Sequence, residues 1–131
     1  MDAGIIMHTI EAVGARCADP VPLVYERLFA AHPDFAPLFR NDHSGAARGH
    51  MFTTAIETLM DLLADDAYAS HMLQAERTNH ANLGVATDLF TAFYGATAEA
   101  FRDILGPDWT GEADAAWRTL IGRIDALSAD A

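Results

Sequence analysis

Apolar residues along this chain recur at spacings of three and four, and the strict alternation that marks a strand is nearly absent. The pattern predicts an all-α protein. The first helix covers about residues 4–16, with Ile6, Ile10, Val13 and Cys17 along one stripe. Asp19 reads as the N-cap of the second, with Pro20 and Pro22 in a first turn where a missing N–H costs nothing. Val21, Val24, Tyr25, Leu28 and Phe29 form its inner side until His32-Pro33 ends it, and a short helical turn headed by Asp34 then carries Phe35, Pro37, Leu38 and Phe39. Asn41-Asp42-His43-Ser44-Gly45 is a turn, in which Asp42 or Ser44 serves as the next cap. Apolar pairs at Met51/Phe52, Ala55/Ile56, Leu59/Met60 and Leu62/Leu63 predict a helix with a wide buried face, which Asp65-Asp66 breaks. A helix over about residues 67–83 follows. Thr87 caps another, whose stripe is Phe90, Phe93/Tyr94, Thr97, Phe101 and Ile104/Leu105, and Gly106-Pro107 stops it. Thr110 opens the last, which buries Ala113, Trp117, Leu120/Ile121, Ile124 and Leu127.

Candidate chemistry gathers in Arg77-Thr78-Asn79-His80-Ala81-Asn82-Leu83-Gly84-Val85. Leu73 and Leu83 place His80 on the apolar side of its helix, and Gly84 is the residue type that closes a helix at little steric cost. By itself this is more often the place of a core histidine, its ring satisfied by a backbone carbonyl, than of a ligand. Composition narrows the partners. The 131 residues suit one domain over residues 1–131, and a formal net charge of −11 with all eight positive charges on arginine disfavours nucleic acid and anionic lipid. A lone Cys17 forms no internal disulfide, which fits a reducing, cytoplasmic setting. The first residues lack the basic start of a signal peptide, and no apolar run approaches a membrane span.

Two segments carry a family resemblance. Val24-Tyr25-Glu26-Arg27-Leu28-Phe29-Ala30-Ala31-His32-Pro33-Asp34-Phe35-Ala36-Pro37-Leu38-Phe39 resembles the B–C segment of bacterial haemoglobins of the single-domain and flavohaemoglobin type. Asn79-His80-Ala81-Asn82-Leu83-Gly84-Val85 resembles the end of their F helix, in the same order and at a fitting separation. The resemblance implies a globin fold of six to eight helices around a haem pocket that holds haem b. It implies His80 as the proximal iron ligand, Tyr25 as the distal hydroxyl that hydrogen-bonds a bound gas, and Phe39 as the ring stacked on the porphyrin. Met51, Phe52, Ile56, Val85 and Phe90 complete the implied lining.

The helix after the turn fits the family pattern in two registers. In one, Arg48 faces the ligand, Phe52 lies over the haem, and Gly49 stands at a close crossing with the second helix. In the other, Ala47 faces the ligand and Met51 covers the haem. The first is preferred; His50 is either a solvated residue, a neighbour of a propionate, or a sixth ligand. Phe90 stands where peroxidase-like members carry a tyrosine, which predicts a less polarised imidazole and weaker O–O cleavage. The functional expectation is a haem protein that reversibly binds O2, NO or CO. An NO dioxygenase served by an external reductase is the enzymatic alternative, and a haem-free globin-fold interaction module is the third. Globins also form homodimers, and the exposed faces of the last two helices offer a place for one.

Overall fold

The computed structural model describes residues 3–64 and 89–129, without the side chains of residues 89, 90 and 127–129. Helices α1 (Ala3–Arg16), α2 (Val21–Ala31) and α3 (Ala46–Ala64) precede α4 (Leu89–Leu105) and α5 (Gly111–Ala129). Short 3-10 segments, Pro33–Phe39 and Gly106–Asp108, follow α2 and α4, and there is no strand among the described residues. The all-α expectation holds. The Asp65-Asp66 break, the helix over residues 67–83 and the Thr87 cap lie outside the described residues.

Local chemistry sets the helix ends. The Asp19 carboxylate accepts the Val21 N–H at 3.1 Å, but Pro20 occupies the cap position, so α2 begins one residue later than its sequence suggested. Its other end is fixed by Pro33. The ring of a proline disfavours helical backbone at the preceding residue, and His32 accordingly leaves the helix at φ −136° and ψ 76°. His32, rather than Asp34, therefore heads the 3-10 segment, and its ring stacks on Phe35 at 5.2 Å. Gly106, at φ +53°, closes α4 in a conformation that costs glycine little. Thr110 then caps α5, its hydroxyl accepting the Ala113 N–H at 3.0 Å.

Helix α4 is the centre of the packing, touching α1, α2 and α5. Its neighbours Phe93 and Tyr94 point about 100° apart around the axis, so they enter different apolar clusters. One cluster joins Ile6 and Val13 of α1 with Leu59 and Leu62 of α3, Tyr94, Phe101 and Leu105 of α4, and Trp117, Leu120 and Ile124 of α5. The other joins Val24, Tyr25 and Leu28 of α2 with Phe35, Phe93, Ala96 and Ala100. Phe52 and Ala55 of α3 pack against both. Each large side chain buried here contributes roughly 1.5–3 kcal/mol by removal from water.

Two expectations about burial change. The wide face predicted for α3 is narrower, since only Leu59 and Leu62 are fully buried among its described residues and Met60 is 39% exposed. On α1 the buried stripe runs through Thr9 as well as Ile6 and Val13, while Ile10 and Cys17 are only partly covered. Thr9 is tolerated there because its hydroxyl is fully used. It donates to the Ile6 carbonyl at 2.7 Å and accepts the Trp117 indole N–H at 2.9 Å, tying α1 to α5 across the core.

Replacing Thr9 by Val keeps the shape and leaves the Trp117 N–H buried without that acceptor, at a cost of about 1–3 kcal/mol. Urea unfolding of Thr9→Val should show a lower midpoint with an unchanged slope.

Candidate functional site

The second cluster carries four of the residues singled out from sequence. Tyr25 is 2% exposed, and its ring meets Phe29 at 5.7 Å, Phe39 at 5.2 Å and Phe93 at 5.7 Å. Spacing explains the first contact, since Tyr25 and Phe29 lie one turn apart on α2. Phe39 arrives from the end of the 3-10 segment, which the Pro33 turn folds back against α2. Met51 and Phe52 of α3 pack against this cluster, and Phe52 reaches Phe93 at 6.5 Å. Ile56, one turn on, packs against the other cluster. Phe39, Met51, Phe52 and Ile56 are all half-buried. His80, Val85 and the side chain of Phe90 lie outside the described residues.

The Tyr25 hydroxyl is the polar atom of this aromatic group, and it donates to the backbone carbonyl of Arg48 at 3.1 Å. Burial pushes its pKa well above the ordinary tyrosine value; the Arg48 cation opposes that rise and the Asp42 carboxylate adds to it. The hydroxyl thus keeps its proton at neutral pH and remains a donor.

The start of α3 is built by the loop before it. Gly45 stands at the cap position with φ +79°, a conformation suited to glycine, and has no side chain with which to cap. Asp42 and Ser44 supply the missing acceptors. Ser44 Oγ takes the Ala46 N–H at 3.3 Å, while the two Asp42 carboxylate oxygens take the Ala47 and Arg48 N–H groups at 3.0 Å each. The Arg48 side chain folds back over the same residue. Its Nε donates to Asp42 Oδ2 at 3.1 Å and its Nη2 to the Asp42 carbonyl at 3.0 Å. The two backbone bonds and the guanidinium hold the Asp42 carboxyl below the usual carboxylate range, with the bond from the Arg48 N–H the largest cause.

The rest of the expected distal set is placed as follows. Ala47 and His50 are exposed, and a Cβ on Gly49 would meet nothing within 4 Å, so the close helix crossing expected at Gly49 is not formed there. Instead a cleft of about 260 Å³ opens between the starts of α2 and α3, with Val21, Tyr25, Gly45, Arg48 and Gly49 on its walls. The aromatic partner Phe93 was legible as an inner residue of its helix. The Asp42–Arg48 clasp was not, because a spacing of six residues corresponds to no regular helical or hairpin pair.

A depressed folded-state pKa means that Asp42 contributes stability above the ordinary carboxyl value of about 4, and that this contribution is lost as pH falls through its lower folded value. The stability gap between the natural chain and Asp42→Asn should be widest near neutral pH and should close in acid. Urea midpoints measured at a series of pH values check this.

A search of curated proteins finds no match to this chain. The globin family model, in contrast, matches residues 23–126, from the first turn of α2 to the last turns of α5. By that match, which takes in most of its length and both ends of the aromatic cluster, the chain belongs to the globin family.

Proposed function

We propose that this chain binds haem b and, through it, a diatomic gas reversibly, O2, NO or CO, with His80 as the iron ligand and Tyr25 as the hydrogen-bond donor to the gas. Globins generally bind haem and diatomic gases. The finer kinship, with single-domain bacterial haemoglobins and the haem domain of flavohaemoglobins, is part of the same reading. The observation that carries it is Tyr25, a protonated hydroxyl held among Phe29, Phe39 and Phe93 at 2% exposure. Half-buried Phe39, Met51 and Phe52 are nonpolar and suit a flat apolar macrocycle, and the reading assigns Ile56, Val85 and Phe90 to the same lining. When bound, haem supplies the iron to which the gas attaches. In this reading Phe52, which reaches Phe93 at 6.5 Å, covers the haem rather than Met51.

A phenol carries one proton. To donate to a gas ligand, Tyr25 must give up the Arg48 carbonyl, so its net effect is a difference between two bonds. A bond to a polarised ligand is worth about 1.5–3 kcal/mol and a neutral one about 0.5–1.5, which leaves about 1 kcal/mol in favour of the ligand.

Addition of hemin should give a saturable Soret band at one haem per chain that shifts on reduction and again with CO. His80→Ala should lose that stoichiometric uptake while keeping its helical circular dichroism; normal uptake would remove His80 from the assignment. In Tyr25→Phe the O2 dissociation rate, followed by stopped flow, should rise about fivefold, the equivalent of ~1 kcal/mol.

A further inference from the structure

We propose that Asp42 is a positioning residue for the Tyr25 site: it parks the Arg48 guanidinium on the loop before α3, so that a ligand beside Tyr25 meets one neutral hydroxyl and a guanidinium already paired with a carboxylate. The inference rests on the haem reading above, and its geometry is independent of that reading. Three observations converge on it. Asp42 binds Arg48 at three points, through the backbone N–H at 3.0 Å, Nε at 3.1 Å and Nη2 at 3.0 Å. Gly45 turns the loop at φ +79°, a conformation suited to glycine, and the folded-back Arg48 side chain lies in ordinary contact range of it, with Nη2 3.4 Å from where a Cβ would stand. The carbonyl of that same Arg48 accepts the Tyr25 hydroxyl, so the clasp fixes both the resting partner of Tyr25 and the place of the nearest positive charge.

Without Asp42 the guanidinium has somewhere to go. The cleft between α2 and α3 is walled by Arg48 on one side and Tyr25 on the other, and its volume of about 260 Å³ accommodates a released arginine head group. The Asp42 side chain is only 8% exposed and that of Arg48 34%, so water competes for the pair less than for the surface pairs Arg16–Asp108 and Arg27–Asp103, all four of whose side chains are more than 40% exposed. A ligand pocket with a mobile cation would hold polarised gases more tightly than one with a neutral donor, because a charged donor makes the stronger hydrogen bond. Asp42 thereby sets the strength of ligand retention without touching the ligand.

Two measurements on Asp42→Asn test this, with circular dichroism reporting that the helices remain. In the 15N-labelled protein without hemin, the Arg48 Nε–H resonance, assigned by its absence from Arg48→Met, should exchange slowly with solvent and lose that protection in Asp42→Asn. Retained protection in the variant would overturn the clasp whatever the chain binds. In the ferrous CO adduct, a cation near the ligand favours electron donation into CO and lowers its stretching frequency. The stretch should therefore fall in Asp42→Asn and return toward that of the natural chain in Asp42→Asn/Arg48→Met. An unmoved stretch in the single variant, or a lowered one that persists in the double, overturns this inference alone. Absence of any stoichiometric CO adduct in the unaltered protein overturns the haem reading and this inference with it.

Discussion

Two tyrosine hydroxyls from different helices hold α3 in place. Tyr25 of α2 donates to the Arg48 carbonyl at 3.1 Å, and Tyr94 of α4 donates to the Ala55 carbonyl at 2.8 Å. The acceptors stand seven residues apart, two turns along one side of the helix. A carbonyl has two acceptor sites, so each can take a phenol without giving up its helical bond. The anchoring matters because, among the described residues of α3, only Leu59 and Leu62 are fully buried. Apolar contact is non-directional, whereas a buried phenol that loses its acceptor is penalised at once. The two bonds thus set which side of α3 carries Phe52 and Ala55 inward.

The same arrangement divides the interior. Phe93 and Tyr94 are consecutive on α4, yet one serves the cluster around Tyr25 and the other the cluster around Trp117. The Trp117 cluster is a structural core, closed by the Phe101–Trp117 edge contact at 5.7 Å and by the Thr9 hydroxyl that receives the indole N–H. The Tyr25 cluster is smaller and lies beside half-buried Phe39, Met51 and Phe52, the kind of surface on which a large apolar cofactor gains by leaving water. Stability and the proposed chemistry are therefore housed on different faces of one helix, joined through Phe52 and Ala55.

Charge plays different parts in the two regions. An excess of acid over arginine keeps the surface negative, and its exposed ion pairs, such as Arg16 with Asp108, contribute little individually. Asp42 is the exception because it replaces a cap that Gly45 cannot provide. One carboxylate closes the first turn of α3 and neutralises the nearest arginine at the same time, and through the Arg48 carbonyl it is coupled to the Tyr25 hydroxyl.

The sequence by itself determined the helical class, most helix ends and most of the buried stripes. Those features are local: Pro33, Gly106 and Thr110 act on backbone within a few residues, and a spacing of three and four puts Val24, Tyr25 and Leu28 on one face wherever that face ends up. The likeness of residues 24–39 to a known segment, and not periodicity, singled out Tyr25 and Phe39, while Met51 and Phe52 entered as the alternatives of two helix registers. What only the tertiary structure decided is which polar groups meet. That Thr9 is buried depends on Trp117 arriving from the far end of the chain, and that the Arg48 guanidinium lies on Asp42 depends on the loop turning at Gly45. Hydrogen bonds are directional and reach only about 3 Å, so they depend on positions that packing must first establish. Hydrophobic periodicity carries no record of them.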